Sequence, residues 1–144
     1  MIRALGALFV GGLLLSACGS ISAVSALRSW VVQSGYRSSA TTLVGDARHA
    51  ADVLNISTAS NADLHTVCGV LLVDTESANA SLPTPDARAT TLLSKAYTNL
   101  GAGANECYVA STSVRARAKA LKSLASGLAD LSEGSARITS ASAP

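Results

Sequence analysis

Apolar residues in this chain recur at helical spacing, and no segment alternates apolar and polar residues long enough to argue a strand. A first amphipathic stretch begins near Val24, where Leu27, Trp30, Val31 and Ser34 share a face. Gly35 bends or breaks it, and the pattern resumes at Leu43, Val44, Ala47, Ala50, Val53 and Leu54. Asn55–Ala62 is small and polar and reads as a turn. A second helix starting after Asn61 or Ala62 follows on Leu64, Cys68, Leu71, Leu72 and Thr75 and fades through Asn79–Ser81.

Leu82-Pro83-Thr84-Pro85-Asp86 is the strongest punctuation. Pro83 excludes helix at Leu82. Thr84 is expected as the N-cap, Pro85 as the first helical residue and Asp86 as a charge favoured by the helix dipole. A third helix runs on Ala89, Leu92, Leu93, Ala96, Leu100, Ala104 and Cys107, with Gly101 and Gly103 weakening it by about 1 kcal/mol each relative to Ala. The fourth pattern is the most regular. Val114, Ala118, Leu121, Ala125 and Leu128 step by four and three, Leu124 and Leu131 widen the stripe, Gly134 marks a C-cap region, and 139–144 is a fraying tail. The expectation is an all-α, up-down bundle of about four helices.

The first residues differ from the rest. Met1-Ile2-Arg3 carries one positive charge, and the uncharged, apolar run Ala4–Leu15 is 12 residues long. A membrane-spanning helix needs roughly 20 apolar residues, so the run fits the core of a secretory signal. Its end, Leu15-Ser16-Ala17-Cys18, resembles the bacterial lipobox: an aliphatic residue, two small residues, then cysteine. The resemblance implies a diacylglyceryl group on the Cys18 thiol and cleavage before it. The chain then divides into a signal peptide (1–17), a tether (18–23), a helical domain (24–138) and the tail (139–144). Two or three acyl chains on one residue make a durable anchor, since each buried methylene contributes about 0.8 kcal/mol. The expected location is the extracytoplasmic face of a cell membrane, with the membrane itself as first partner.

Composition then bounds the mature domain. About 127 residues after the signal make one domain. The formal charge of +2 falls to +1 without Arg3, so nothing points to nucleic acid. Aromatic residues are few (Trp30, Tyr36, Tyr97 and Tyr108), and a core of Leu, Val and Ala lets helices approach toward the low end of the 8–10 Å range. Trp30 suits a membrane interface, but it shares its face with Leu27 and Val31, which favours core packing. With Cys18 lipidated, Cys68 and Cys107 remain. Two cysteines in an oxidising compartment commonly pair, and closing a loop of this length is worth about 4 kcal/mol at most; the alternative is two buried thiols. The cysteines sit at unequal distances from Pro83, so their helices must be offset or the connection must run along the bundle. Cys68, the Leu82–Asp86 hinge, Ala96-Tyr97 and Cys107 together resemble small actinobacterial exported helical proteins. That resemblance implies a helical bundle and brings no activity or site with it.

Candidate chemistry is sparse. On a helix, Asp46, His49 and Asp52 stand at successive i+3 steps, and His65 and Cys68 form another such pair. Imidazole and carboxylate are metal ligands, which makes His49 and His65 weak metal candidates, but an oxidised Cys68 cannot ligate. The simpler reading is a solvated polar face. Arg115, Lys119 and Lys122 fall on one face of the last helix, with Arg117 off it. They form a possible contact face for anionic headgroups or an acidic partner, or else the solvent side of a bundle helix. No G-x-S-x-G elbow or Gly-rich phosphate loop is present. The expectation is a non-enzymatic, lipid-anchored module without a cofactor that binds or scaffolds an envelope partner. The alternative is a metal- or small-ligand-binding lipoprotein.

Overall fold

A computed structural model describes residues 22–143; Cys18 and the signal segment lie outside them. Five helices follow one another: α1 (Ala23–Gln33), α2 (Tyr36–Asn55), α3 (Asn61–Asn79), α4 (Ala87–Tyr108) and α5 (Val114–Ala141). There is no strand among the described residues. No described helix is long and apolar enough to cross a membrane. The all-α expectation holds, with five helices where about four were expected. Gly35 breaks the first pattern outright: its φ of 63° is left-handed, a conformation that glycine adopts without steric cost.

α2, α3, α4 and α5 form the up-down ring, each packed on its sequence neighbour, with α2 and α5 closing it most loosely. The tightest pair is α4 with α5. The inward face of α4 (Ala89, Leu93, Ala96, Leu100, Gly103, Cys107) and that of α5 (Ala120, Leu124, Gly127, Leu131, Gly134, Ile138) both step alternately by three and four. These are heptad seams in which a leucine of one helix meets a small residue of the other. A Cβ added at Gly127 would lie 2.7 Å from Leu100 Cγ and 2.8 Å from Leu100 N; one at Gly103 would lie 2.9 Å from Leu124 N. Gly103, which should have weakened α4, is one of the places where the two backbones come closest.

Three sequence expectations are corrected here. Gly134 does not end α5, which runs to Ala141 through the expected tail. It admits Leu93, whose Cδ2 would stand 2.7 Å from a Cβ at that position. Nor is Val114–Leu128 the centre of the inward face of α5; the seam lies on the neighbouring positions, chosen by its glycines and alanines instead of by its bulkier side chains. Finally, α4 is capped by Asp86 and not by Thr84. The Asp86 carboxylate accepts the Ala89 N–H at 2.7 Å and also binds Arg137 through Nε at 3.1 Å, a charged acceptor at the positive helix end. Thr84 Oγ1 instead accepts the Asp86 N–H at 3.1 Å and braces the loop. Similarly, α3 starts from Ser60, which forms a capping box with Asp63.

The cysteine spacing is resolved by an offset. At 1.5 Å per residue, Cys107 stands about 13 Å farther from the start of α4 than Cys68 does from the end of α3. The connection 80–86, a turn at Ala80–Ser81 followed by the Leu82–Asp86 segment, takes up that difference. Cys68 and Cys107 meet at disulfide distance, with Cα atoms 5.9 Å apart. The feet of α4 and α5 therefore project beyond α3, and α1 covers this lower end. Leu27 and Val31 are buried, Trp30 Nε1 donates to Ser81 O at 3.1 Å, and Arg28 Nε donates to Ser142 O at 2.8 Å. Both ends of the described chain thus lie at the lower end. The Ile56–Ser60 and Val109–Ser113 loops form the upper end.

Candidate functional site

The upper end is organised by one side chain. Arg117, in the first turns of α5, is only 7% exposed and makes no ion pair among the described residues. Its guanidinium is spent on backbone carbonyls: Nε to Ser111 at 2.7 Å, Nη1 to Ile56 at 2.6 Å and Leu54 at 3.3 Å, Nη2 to Ala59 at 3.0 Å. Leu54 and Ile56 sit at the C-terminal end of α2, where unpaired carbonyls and the negative end of the dipole favour a cation. Ser111, a non-glycine residue at φ 49°, is held by the same contact. Two loops far apart in sequence are fixed to each other by a buried charge.

Around this clamp the surface is apolar and open. Val114 is 81% exposed, Val109 67% and Ile56 50%. A cleft of about 420 Å³ between α2 and α3 is lined by His49, Val53, Ile56, Asp63, Thr66 and Val67, among others. A second, of about 270 Å³, opens between the end of α2 and the start of α5, with Leu54, Val114, Ala118 and Leu121 in its walls.

The second cleft lies where α2 and α5 close the ring loosely. One side of α2 serves α3: Asp46 faces Asp74, and Ser38 and Thr42 share a polar cleft with Asp74 and Ser77. The other side carries Arg37, Thr41, Val44 and Arg48, and a cleft of about 420 Å³ lies over Thr41, Val44, Gly45 and Arg48. α5 carries the stripe that sequence periodicity singled out, Val114, Ala118, Leu121, Ala125 and Leu128, whose first three residues line the second cleft beside Leu54. Leu121, Leu128 and Val44 are packed part-way against the core, whereas Ala118 and Ala125 are exposed. α5 therefore has two heptad faces, one sealed against α4 and one left open beside α2.

The candidate residues distribute as follows. Cys18 is outside the described residues. Arg115, Lys119 and Lys122 are exposed on α5; Lys119 pairs with Glu106 at 3.0 Å, while Arg115 and Lys122 make no ion pair among the described residues. His49 and His65 are not brought together. His49 lines the α2–α3 cleft, whereas His65 stacks on Tyr108 with ring centroids 4.1 Å apart. No group of three or more metal-ligating side chains occurs among the described residues. Asp46 is the one electrostatically awkward group. Its Oδ2 is buried without a hydrogen-bond partner, and burial together with the neighbouring Asp74 carboxyl raises its pKa above the usual carboxylate range.

Arg117 is the residue that sequence reasoning missed. Helical spacing placed it off the basic face, but nothing in the stripe as drawn marked it as buried. The signal was available: extending the seam of α5 back by three residues from Ala120 lands on Arg117. Comparison with known protein families, with curated proteins and with solved structures found no match to this chain.

Proposed function

We propose that this chain is a lipid-anchored, non-enzymatic helical module on the extracytoplasmic face of a cell membrane, and that it binds or scaffolds a partner there. The anchor rests on the Leu15-Ser16-Ala17-Cys18 motif behind its apolar run. The observation that carries the binding role is the open second heptad face of α5, an apolar surface on a scaffold stiffened by the α4–α5 seam and the Arg117 clamp. A rigid, exposed apolar strip lowers the ordering cost of association, and such strips mark interaction sites. Cys68 and Cys107 suit an oxidising compartment, where their bridge would lock α3 to α4.

Geometry supports the topology of this reading. A tether of about five residues between Cys18 and α1 reaches at most about 18 Å, so an anchored bundle stays close to the bilayer by its lower end. The α5 helix of 28 residues, about 42 Å long, carries the upper loops and the open flank away from the membrane. The test is the intact mass of the protein extracted from its native membrane without reductant. The expected mass shows loss of Met1–Ala17, added acyl chains and two missing hydrogens. A full-length chain, or one cleaved without lipid, refutes the anchor. Crosslinking that recovers no envelope partner under any growth condition refutes the scaffold role.

A further inference from the structure

We propose that the flank between α2 and α5 receives an acidic amphipathic helix of a partner protein. The inference rests on the binding role above and specifies its partner.

Spacing argues for a helix. Val114, Ala118, Leu121, Ala125 and Leu128 advance by four and three, the repeat by which one helix presents a seam to another. The neighbouring α4 does not use this seam, because it packs on the Ala120–Ile138 face. The seam is about 21 Å long, four turns of an incoming helix. Its floor suits a close approach. Ala118 and Ala125 on α5, with Ala40 on α2, keep side chains short, while Leu121, Leu128 and Val44 give apolar contact. The cleft of about 270 Å³ between the end of α2 and Leu121 of α5 is where a larger apolar side chain of the partner would seat.

Charge argues for an acidic partner. Arg37 and Arg48 stand on the α2 rim and Arg115 and Lys122 on the α5 rim; all four are exposed, and none makes an ion pair among the described residues. The carboxylates nearby are fewer or turned away. Asp52 is a single exposed carboxylate one turn beyond Arg48 on α2, Asp46 faces Asp74 of α3, and Glu133 lies toward Lys95 of α4. An apolar floor between two basic rims complements a helix whose apolar stripe is flanked by Glu or Asp, the arrangement in which flanking charges set partner choice. An anionic bilayer would meet the same charges, but it offers no seam for the heptad-spaced stripe of α5.

The experiment uses the full chain in phosphatidylcholine nanodiscs and a fluorescein-labelled 21-residue peptide of Leu, Ala and Glu in heptad order, read by fluorescence anisotropy. A second peptide carries Lys in place of Glu. The acidic peptide should bind saturably and at least tenfold more tightly than the basic one. The exposed-site double variant Ala118→Glu/Ala125→Glu should weaken it at least tenfold with an unchanged melting curve, and Arg48→Glu/Lys122→Glu should reverse the peptide preference. Equal binding of both peptides, no saturable binding, or indifference to either double variant overturns the proposal. So does displacement of the peptide by phosphatidylglycerol vesicles in a manner lost with Arg48→Glu/Lys122→Glu, which would make the flank a headgroup site. The intact mass of Cys18 is read separately, so failure of the anchor and failure of the groove give different results.

Discussion

Replacing Gly127 by Ala tests whether α4 and α5 are held together by backbone proximity. In an exposed helix, Gly→Ala stabilises by about 1 kcal/mol. At Gly127 the new Cβ would lie 2.7 Å from Leu100 Cγ, 2.8 Å from Leu100 Cδ2 and 2.8 Å from Leu100 N. The leucine side chain could turn away, but the backbone nitrogen cannot, so the helices must separate by several tenths of an ångström along a seam that also holds Leu93, Leu124 and Leu131. Overpacking of this kind costs about 1–3 kcal/mol. Gly45 supplies the control, since a Cβ there meets nothing within 4 Å. The same substitution should therefore have opposite signs: Gly45→Ala more stable by up to about 1 kcal/mol, Gly127→Ala less stable by about 1–3 kcal/mol. Urea denaturation followed by circular dichroism, with matched m-values, measures both. A Gly127→Ala protein as stable as the parent would refute the close seam; a destabilised Gly45→Ala protein would refute the assignment of that face as open.

Other outcomes follow from the clamp, the acid pair and the cysteines. Arg117→Met should cost about 3 kcal/mol, because it strands the Leu54, Ala59 and Ser111 carbonyls while Ile56 keeps only the Ala59 N–H, and Arg117→Lys should recover only part of it. Hydrogen exchange confined to the Ile56–Ser60 and Val109–Ser113 loops would confirm that the clamp acts there, whereas uniform exchange would contradict it. Asp46 has a raised pKa when folded, so its contribution to stability is present below the unfolded value near 3.9 and is lost as pH rises through the folded value. Asp46→Asn should therefore gain melting temperature over the parent at pH 7 and match it near pH 3.5; a pH-independent gap would rule out the titration. Asp86, held low by the Arg137 guanidinium and the Ala89 N–H, works in the opposite sense, so the destabilisation of Asp86→Asn should shrink as pH falls below about 4. Cys68→Ala should lower stability by about 2–4 kcal/mol in the oxidised protein and have a smaller effect once reductant is present.

Helix content and the punctuation at Leu82–Asp86 were legible because apolar periodicity, prolines and caps act locally. The inward faces of α2, α3 and α4 were legible too, since Leu43, Leu64 and Leu93 with their periodic neighbours are buried as expected; the face that α5 turns inward was not. On α5 the large residues Val114, Leu121 and Leu128 advertised one face, yet α4 selected the face carrying Ala120, Gly127 and Gly134, since only small residues admit Leu100 and Leu93. Periodicity weighs side-chain hydrophobicity and is blind to the dispersion gained when two backbones approach. Arg117 was lost for a related reason: a guanidinium satisfied by carbonyls from α2 and the α4–α5 turn leaves no complementary acid in the sequence to betray it. The basic trio was found as a set, but its partition into Lys119 bound to Glu106 and two unpaired cations depended on α4 lying alongside.

The α1 helix, set off from α2 at Gly35 and packed on α2 and the end of α5, bears on how the molecule meets force. A load entering at the N-terminus meets α1 first and peels it off the lower end one residue at a time, starting with the link from Arg28 to the Ser142 carbonyl. The α4–α5 seam and the Cys68–Cys107 contact lie behind it, out of the loading path. In the anchored form proposed above, tension would therefore reach this 11-residue helix before the flank between α2 and α5.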